Sequence, residues 1–123
     1  MAILLAAVAV LAGCGGSKHA YSLAATERCA TKPPLNAKLS RKVDFVASTA
    51  SQGAVRMHLA HNDVTVLFSQ DTEEADNLAR AYRHFRASNV GVEDILRLKN
   101  NVVMLWRVHP SDSDQQKLGN CLK

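Results

Sequence analysis

The stretch "AVRMHLAHNDVTVLFSQ", Ala54 to Gln70, restricts the folds open to this chain more than any other segment. Apolar and polar residues alternate on both sides of His61-Asn62-Asp63, the period-two pattern of a half-buried β-hairpin. With Asn62 and Asp63 as the loop, Leu59 faces Val66 and Met57 faces Phe68. Val55, Met57, Leu59, Val64, Val66 and Phe68 then share one face, and Arg56, His58, Thr65 and Ser69 fall on the other. One apolar and one polar face describe a sheet that needs a cover on one side.

The next segment supplies that cover. Asp71 with Glu74 three residues on forms a capping-box pattern, which opens a helix from about Thr72 to Ala87. Ala75, Leu78, Ala79, Tyr82 and Phe85 recur at helical spacing and are expected to lie over the apolar sheet face. Glu73, Glu74 and Asp76 crowd the first turns and Arg83, His84 and Arg86 the last, which suits the helix dipole. Asn89 and Gly91 provide an end. A second hairpin follows in "DILRLKNNVVMLWRV", with Asn100 and Asn101 as its turn. A last helix runs from about Ser111 to Leu122 behind Pro110, capped by Ser111 or Asp112. The two hairpin-then-helix units predict a ββαββα order and an α+β fold, a two-layer sandwich with a mainly antiparallel sheet.

The first third of the chain is less regular. Tyr21 to Ala30 reads as a short helix that ends before Pro33 and Pro34, with Leu23, Ala24 and Cys29 turned inward. Lys38, Arg41 and Lys42 make a basic patch. "VDFVAS" behind it reads as a strand and "TASQG" as a loop.

Ahead of all this stands "LLAAVAVLAGCGGSKH", Leu4 to His19. The run from Ala2 to Ala12 is wholly apolar, long enough for a signal-peptide core and well short of the roughly 20 residues that span a bilayer as a helix. A buried N-terminal helix is the competing reading, but the run lacks the stripe of a packed helix. Leu11, Ala12, Gly13 and Cys14 resemble the lipobox of bacterial lipoproteins. The resemblance implies removal of residues 1–13 as a signal peptide, diacylglycerol on the Cys14 thiol and acylation of the new amino terminus. Two or more acyl chains anchor stably where one is marginal. Residues 14–20, with Gly15, Gly16 and Ser17, then form a flexible lipidated tether, and 21–123 a single domain held close to the membrane surface.

Lipidation of Cys14 leaves Cys29 and Cys121 as a pair. An exported domain keeps such a pair oxidised. Neither cysteine has a nearby His or basic cluster that would mark it as an activated thiolate. Removing 13 of the 123 residues leaves 110, enough for one core and too few for two. The formal charge of +4 favours anionic headgroups or wall polymers. Nucleic acid is a poor fit, because only 5% of residues are aromatic and no recognition motif is present.

One surface of the second hairpin has the composition of a contact site. If Leu98 pairs with Val103 and Leu96 with Leu105 on the inner face, Arg97, Lys99, Met104 and Trp106 share the outer one. Trp106 and Arg97 are the candidate anchors for a partner. The alternative is that the N-terminal third covers this face, or a bulge turns Trp106 inward, since a lone Trp is most often core. His58 and His61 near a turn lack metal-ligand spacing, and Arg80, Arg83, His84 and Arg86 read as a solvated helix face. No phosphate loop, nucleophile elbow or isolated carboxylate pair is present, so no catalytic residue, cofactor or metal is assigned. These readings give a membrane-tethered, non-enzymatic module that binds a protein or envelope polymer. The competing class is a small ligand or metal carrier or a hydrolytic enzyme of the envelope, which needs convergent polar groups in a cleft.

Overall fold

Alternation along the two hairpins builds the centre of the molecule, but not in the expected register. In the computed structural model, which describes residues 20–86 and 91–123, β2 (Ala54–His58) and β3 (Asp63–Phe68) pair with Val55 opposite Val66 and Met57 opposite Val64. The loop is therefore Leu59 to Asn62 rather than Asn62-Asp63. Asn62 sets this register: its carbonyl accepts from the Leu59 N–H (2.8 Å), and its side-chain Oδ1 accepts from the Asp63 N–H (2.9 Å). Its Nδ2 donates to the Val108 carbonyl (3.1 Å), which ties the loop to the chain leaving the sheet. Because the register moved by an even number of residues, each strand residue keeps its expected face.

The second hairpin matches its expected pairing. β4 (Leu96–Lys99) and β5 (Val102–Trp106) set Leu96 opposite Leu105 and Leu98 opposite Val103. Asn100 takes φ 52°, the left-handed conformation that a two-residue hairpin loop demands at its first position. The Asn101 side chain is buried and accepts from the Tyr21 N–H (2.8 Å). It donates to the carbonyls of Tyr21 and Ser69 (both 2.9 Å), so it ties the turn to the chain entering the first helix.

The hairpins join through β3 and β5, with Val64 opposite Trp106 and Val66 opposite Met104. β1 (Lys38–Ser40) adds to β2, giving an antiparallel sheet in the order β1-β2-β3-β5-β4. Register assigns its faces. One carries Val55, Met57, Val64, Val66, Phe68, Val102, Met104 and Trp106, with Arg97 and Lys99 at the β4 edge. The other carries Leu67, Val103, Leu105 and Leu96, and at one end Arg56, His58, Asp63 and Thr65. Both faces are apolar in the middle, so both need a cover.

Helices provide it on each side. α1 (Leu23–Ala30) and α5 (Asp112–Cys121) lie over the Trp106 face, joined by the Cys29–Cys121 disulfide, whose Cα atoms are 5.3 Å apart. Ser22 caps α1 by accepting from the Ala25 N–H, and Ser111 caps α5 by accepting from the Asp114 N–H. The α1 helix buries Thr26 and Ala30, with Leu23 and Cys29 partly covered and Ala24 exposed. Gly53 enters β2 at φ 94°, a backbone conformation that favours glycine, with the end of the Leu23 side chain close above it. The opposite face is covered by α2 (Phe45–Ser48), α3 (Thr72–Arg86) and α4 (Val92–Ile95), which pack on one another.

The α+β class and the antiparallel sheet stand; finer expectations are corrected. The fold has helices on both faces rather than two layers; behind an N-terminal segment that holds α1, β1 and α2, the elements run β2-β3-α3-α4-β4-β5-α5, with the one-turn α4 added to the expected ββαββα order. "VDFVAS" is not a strand, because the Asp44 carboxylate accepts from the Ala47 N–H and caps α2. The helix α3 opens as expected, with the Asp71 side chain accepting from the Glu74 N–H. The Glu74 carboxylate, however, accepts from the N–H groups of Ser51 and Gln70 and from the Ser51 hydroxyl, so it clamps a loop rather than completing a box. Ala75, Leu78, Ala79 and Tyr82 are buried, but Phe85 is 68% exposed, since nothing covers that side of the last turn among the described residues. The apolar run, Cys14, the tether as far as His19, Ala87 and Asn89 lie outside the described residues.

Candidate binding surfaces

The edge strand β4 and helix α5 enclose a groove of about 390 Å³ that holds three of the four expected contact residues. Alternation places Arg97 and Lys99 on the face that α5 covers. The Arg97 guanidinium donates to the Gln115 side chain (3.1 Å) and to the carbonyls of Glu93 (3.1 Å) and Leu96 (3.0 Å), which fixes its position against the helix. The Lys99 ammonium stands 5.8 Å from the Tyr21 ring centroid, in cation–π range, and beside Gly119. Met104 lines the groove from below, although the side chain is mostly buried. Leu98, on the opposite face of the same strand, is 38% exposed.

Trp106 does not join them. It is 1% exposed, on the same face as Arg97 but at the other end of β5, among Val64 and the residues under α1 and α5. Its expected role as an exposed anchor is corrected: pairing of β3 with β5 continues the apolar face of the first hairpin into the Trp106 face of the second. That face is core. Among the described residues, the indole N–H of Trp106 is the buried side-chain polar group without a hydrogen-bond partner.

A polar cleft of about 180 Å³ opens on the other side of the sheet. Two rows of residues cross the strands there. Arg56, Thr65 and Leu105 form one row; His58, Asp63 and then Arg107, whose N–H donates to the Asp63 carbonyl (2.9 Å), form the next. Lys42, Val43 and Asp44, leading into α2, make the rim. Asp63 accepts from His58 Nδ1 (2.9 Å) and from Arg56 (3.1 Å). Burial pushes its carboxyl up, but the hydrogen bonds and charges of His58 and Arg56 outweigh this and hold it below the ordinary carboxylate range. Asp44 accepts from the Tyr82 hydroxyl (2.8 and 3.0 Å) as well as from the Ala47 N–H.

This cleft answers one question left open by the sequence. His58 meets Asp63, but His61 is exposed on the loop and stays apart from them. Among the described residues no group of three His, Cys, Asp or Glu side chains is placed to hold a metal ion, and no hydroxyl or thiol is hydrogen bonded to His58. Lys42, Asp44, Tyr82 and Arg107 were not foreseen as neighbours. A signal for Arg107 existed: continuing the alternation one step past Leu105 puts it on the face already assigned to Arg56 and Thr65. No helix among the described residues is long and apolar enough to cross a membrane. No protein-family model matches the chain, and no curated protein or solved structure is similar enough to match it.

Proposed function

We propose that this chain is a lipid-anchored module of the bacterial envelope, held by an acylated Cys14, whose domain binds a protein or envelope polymer through the groove between β4 and α5. The observation that carries the reading is the Cys29–Cys121 pair at disulfide distance. A bond of this kind persists in exported proteins and not in a reducing cytosol. It also accounts for two of the three cysteines, leaving Cys14, inside the lipobox pattern, as the remaining thiol. The groove is favoured as the contact surface because it joins a sheet edge to two cations and an exposed Leu98, and an unpaired edge strand is a template for an incoming extended chain.

Two experiments test the two halves of the proposal. Replacing Cys14 with Ala should leave an unprocessed or released protein; normal cleavage with unchanged membrane retention would refute the anchor. In-cell crosslinking from a photoreactive residue at Leu98 should capture a defined partner, and the double variant Arg97→Glu/Lys99→Glu should lose it. Capture that ignores both substitutions would refute the groove.

A further inference from the structure

The polar cleft has a charge imbalance that the fold does not use. Five charged side chains line it, and the two carboxylates are already committed: Asp63 to His58 and Arg56, Asp44 to Tyr82 and the first turn of α2. Arg56 is committed in return. Lys42 and Arg107 form no ion pair among the described residues, and both are exposed. Thr65, half-buried on the floor beside Leu105, has a hydroxyl with no hydrogen-bond partner among the described residues. The cleft therefore offers two free cations and a free hydroxyl from three separate segments: the approach to α2, the centre of β3 and the exit of β5.

From this arrangement we infer that the cleft binds the phosphate group of a small phosphate ester. An anion suits the cleft, because the two uncommitted charged groups are both cations, while each carboxylate is already engaged by neighbouring donors. A phosphate suits them better than a carboxylate. Its oxygens point in several directions and so meet donors arriving from three segments, and arginine matches it with two parallel N–H groups. The cleft, of about 180 Å³, is large enough for a phosphate group and opens to solvent, so a substituent can extend out of it. Asp63 and Asp44 contribute by orientation. Asp63 holds Arg56 at the edge of the row, and Asp44 holds the segment that carries Lys42. The site lies on the opposite sheet face from the β4–α5 groove and stands independently of the lipid anchor. The phosphate has two available sources: a soluble monoester, or the phosphodiester of a lipid headgroup at the membrane beside which the tether would hold the domain.

The test is amide NMR of the isotope-labelled full chain, titrated with inorganic phosphate, glycerol 3-phosphate, glycerophosphoglycerol and acetate. Saturable shifts centred on Thr65, Arg107 and Lys42, with a Kd at or below about 1 mM, are expected for a phosphate compound. Arg107→Gln and Lys42→Gln should each weaken binding about tenfold or more. Both residues are exposed, so the variants should fold, and unchanged amide spectra away from the cleft verify this. Thr65→Val keeps the side-chain shape and should also weaken binding. Tighter binding of glycerol 3-phosphate supports a soluble ester, and tighter binding of glycerophosphoglycerol supports a headgroup. No saturable shift, shifts outside the cleft, acetate binding as tightly as phosphate, or full affinity in the Gln variants would each overturn the inference.

Discussion

Breaking the bond between Cys29 and Cys121 is the perturbation whose size follows most directly from the fold. The two residues are 92 apart in sequence, so the bond closes nearly the whole domain into one loop. In the chain-entropy model such a loop restricts the unfolded chain by about 4.5 kcal/mol at 25 °C. Domains of this size are stable by roughly 5–15 kcal/mol in total. The loss would therefore take from a third to nearly all of the stability. Heat unfolding should drop by roughly 18–36 °C, at about 4–8 °C per kcal/mol. The native side of the balance points the same way. Between α1 and the chain at the end of α5, the Ser22 N–H donates to the Lys123 carbonyl (2.6 Å) and the Lys123 N–H to the Thr26 hydroxyl (3.4 Å), so few hydrogen bonds stand beside the disulfide that joins the two helices. The assay is denaturant unfolding of the oxidised chain against the Cys29→Ser/Cys121→Ser variant, with the slope watched as well as the midpoint. A chain freed from its loop exposes more surface when unfolded, so the slope should rise as the midpoint falls. A loss below about 1 kcal/mol with an unchanged slope would refute the reasoning, as would a native mass without the two-hydrogen deficit of a disulfide.

Other substitutions probe single features. Asn101→Ala removes the hydrogen bonds to Tyr21 and Ser69 and leaves buried backbone groups unpaired; a cost of about 2–4 kcal/mol in equilibrium unfolding is expected. Trp106→Ala should cost about 3–5 kcal/mol, as a large core deletion does, whereas Phe45→Ala, at a side chain 76% exposed, should stay within about 0.5 kcal/mol. Acid sensitivity should trace to two carboxylates. Asp63 and Glu74 are both held below their ordinary values in the folded state; burial raises each, and hydrogen bonds to His58 and Arg56, or to Ser51 and Gln70, more than offset it. A group lowered in this way contributes stability in full above the ordinary carboxylate pKa of about 4 and loses it as pH falls through the lowered value. Stability measured from pH 6 to pH 2 should therefore fall less steeply in Asp63→Asn and Glu74→Gln than in the parent chain.

Elements governed by local chemistry were legible in the sequence; those decided by distant partners were not. Asn100-Asn101, Asp71 ahead of Glu74, and Ser111 behind Pro110 each state a turn or cap within a few residues, and each folds accordingly. The first hairpin shows the limit. Its faces were readable because alternation survives an even slip, but its register was not, because Asn62 is held by the distant Val108 as well as by its neighbours. In "VDFVAS" the apolar residues suggested a strand, while the deciding interaction was the Asp44 cap, reinforced by Tyr82 thirty-eight positions away. The helical stripe of α3 was read one residue too far: Tyr82 is fixed by Asp44, and Phe85 lies beyond that support.

The fate of Trp106 and the polar cleft follow from one unread fact, the pairing of β3 with β5. Each hairpin taken alone has an apolar and a mixed face, so the apolar faces suggest a common side and a single helical layer. Pairing β3 with β5 in the observed register instead joins Val64 and Val66 to Trp106 and Met104, and Leu67 to Val103. The apolar side of the first hairpin thus continues into the mixed side of the second. Apolar surface then occupies the middle of both faces, and a second helical layer is required to bury it. Trp106 goes inside for that reason, and the contact-site candidates shrink to the β4 edge, where Arg97 and Lys99 remain accessible. The same crossing leaves the polar residues of the first hairpin, Arg56, Asp63 and Thr65, at one end of the other face, next to Arg107 as β5 exits. What looked like the solvent side of an isolated hairpin becomes a cleft with Lys42 and Asp44 on its rim. Lys42 and Arg107, which form no ion pair among the described residues, therefore sit in a concave site that no single segment encodes.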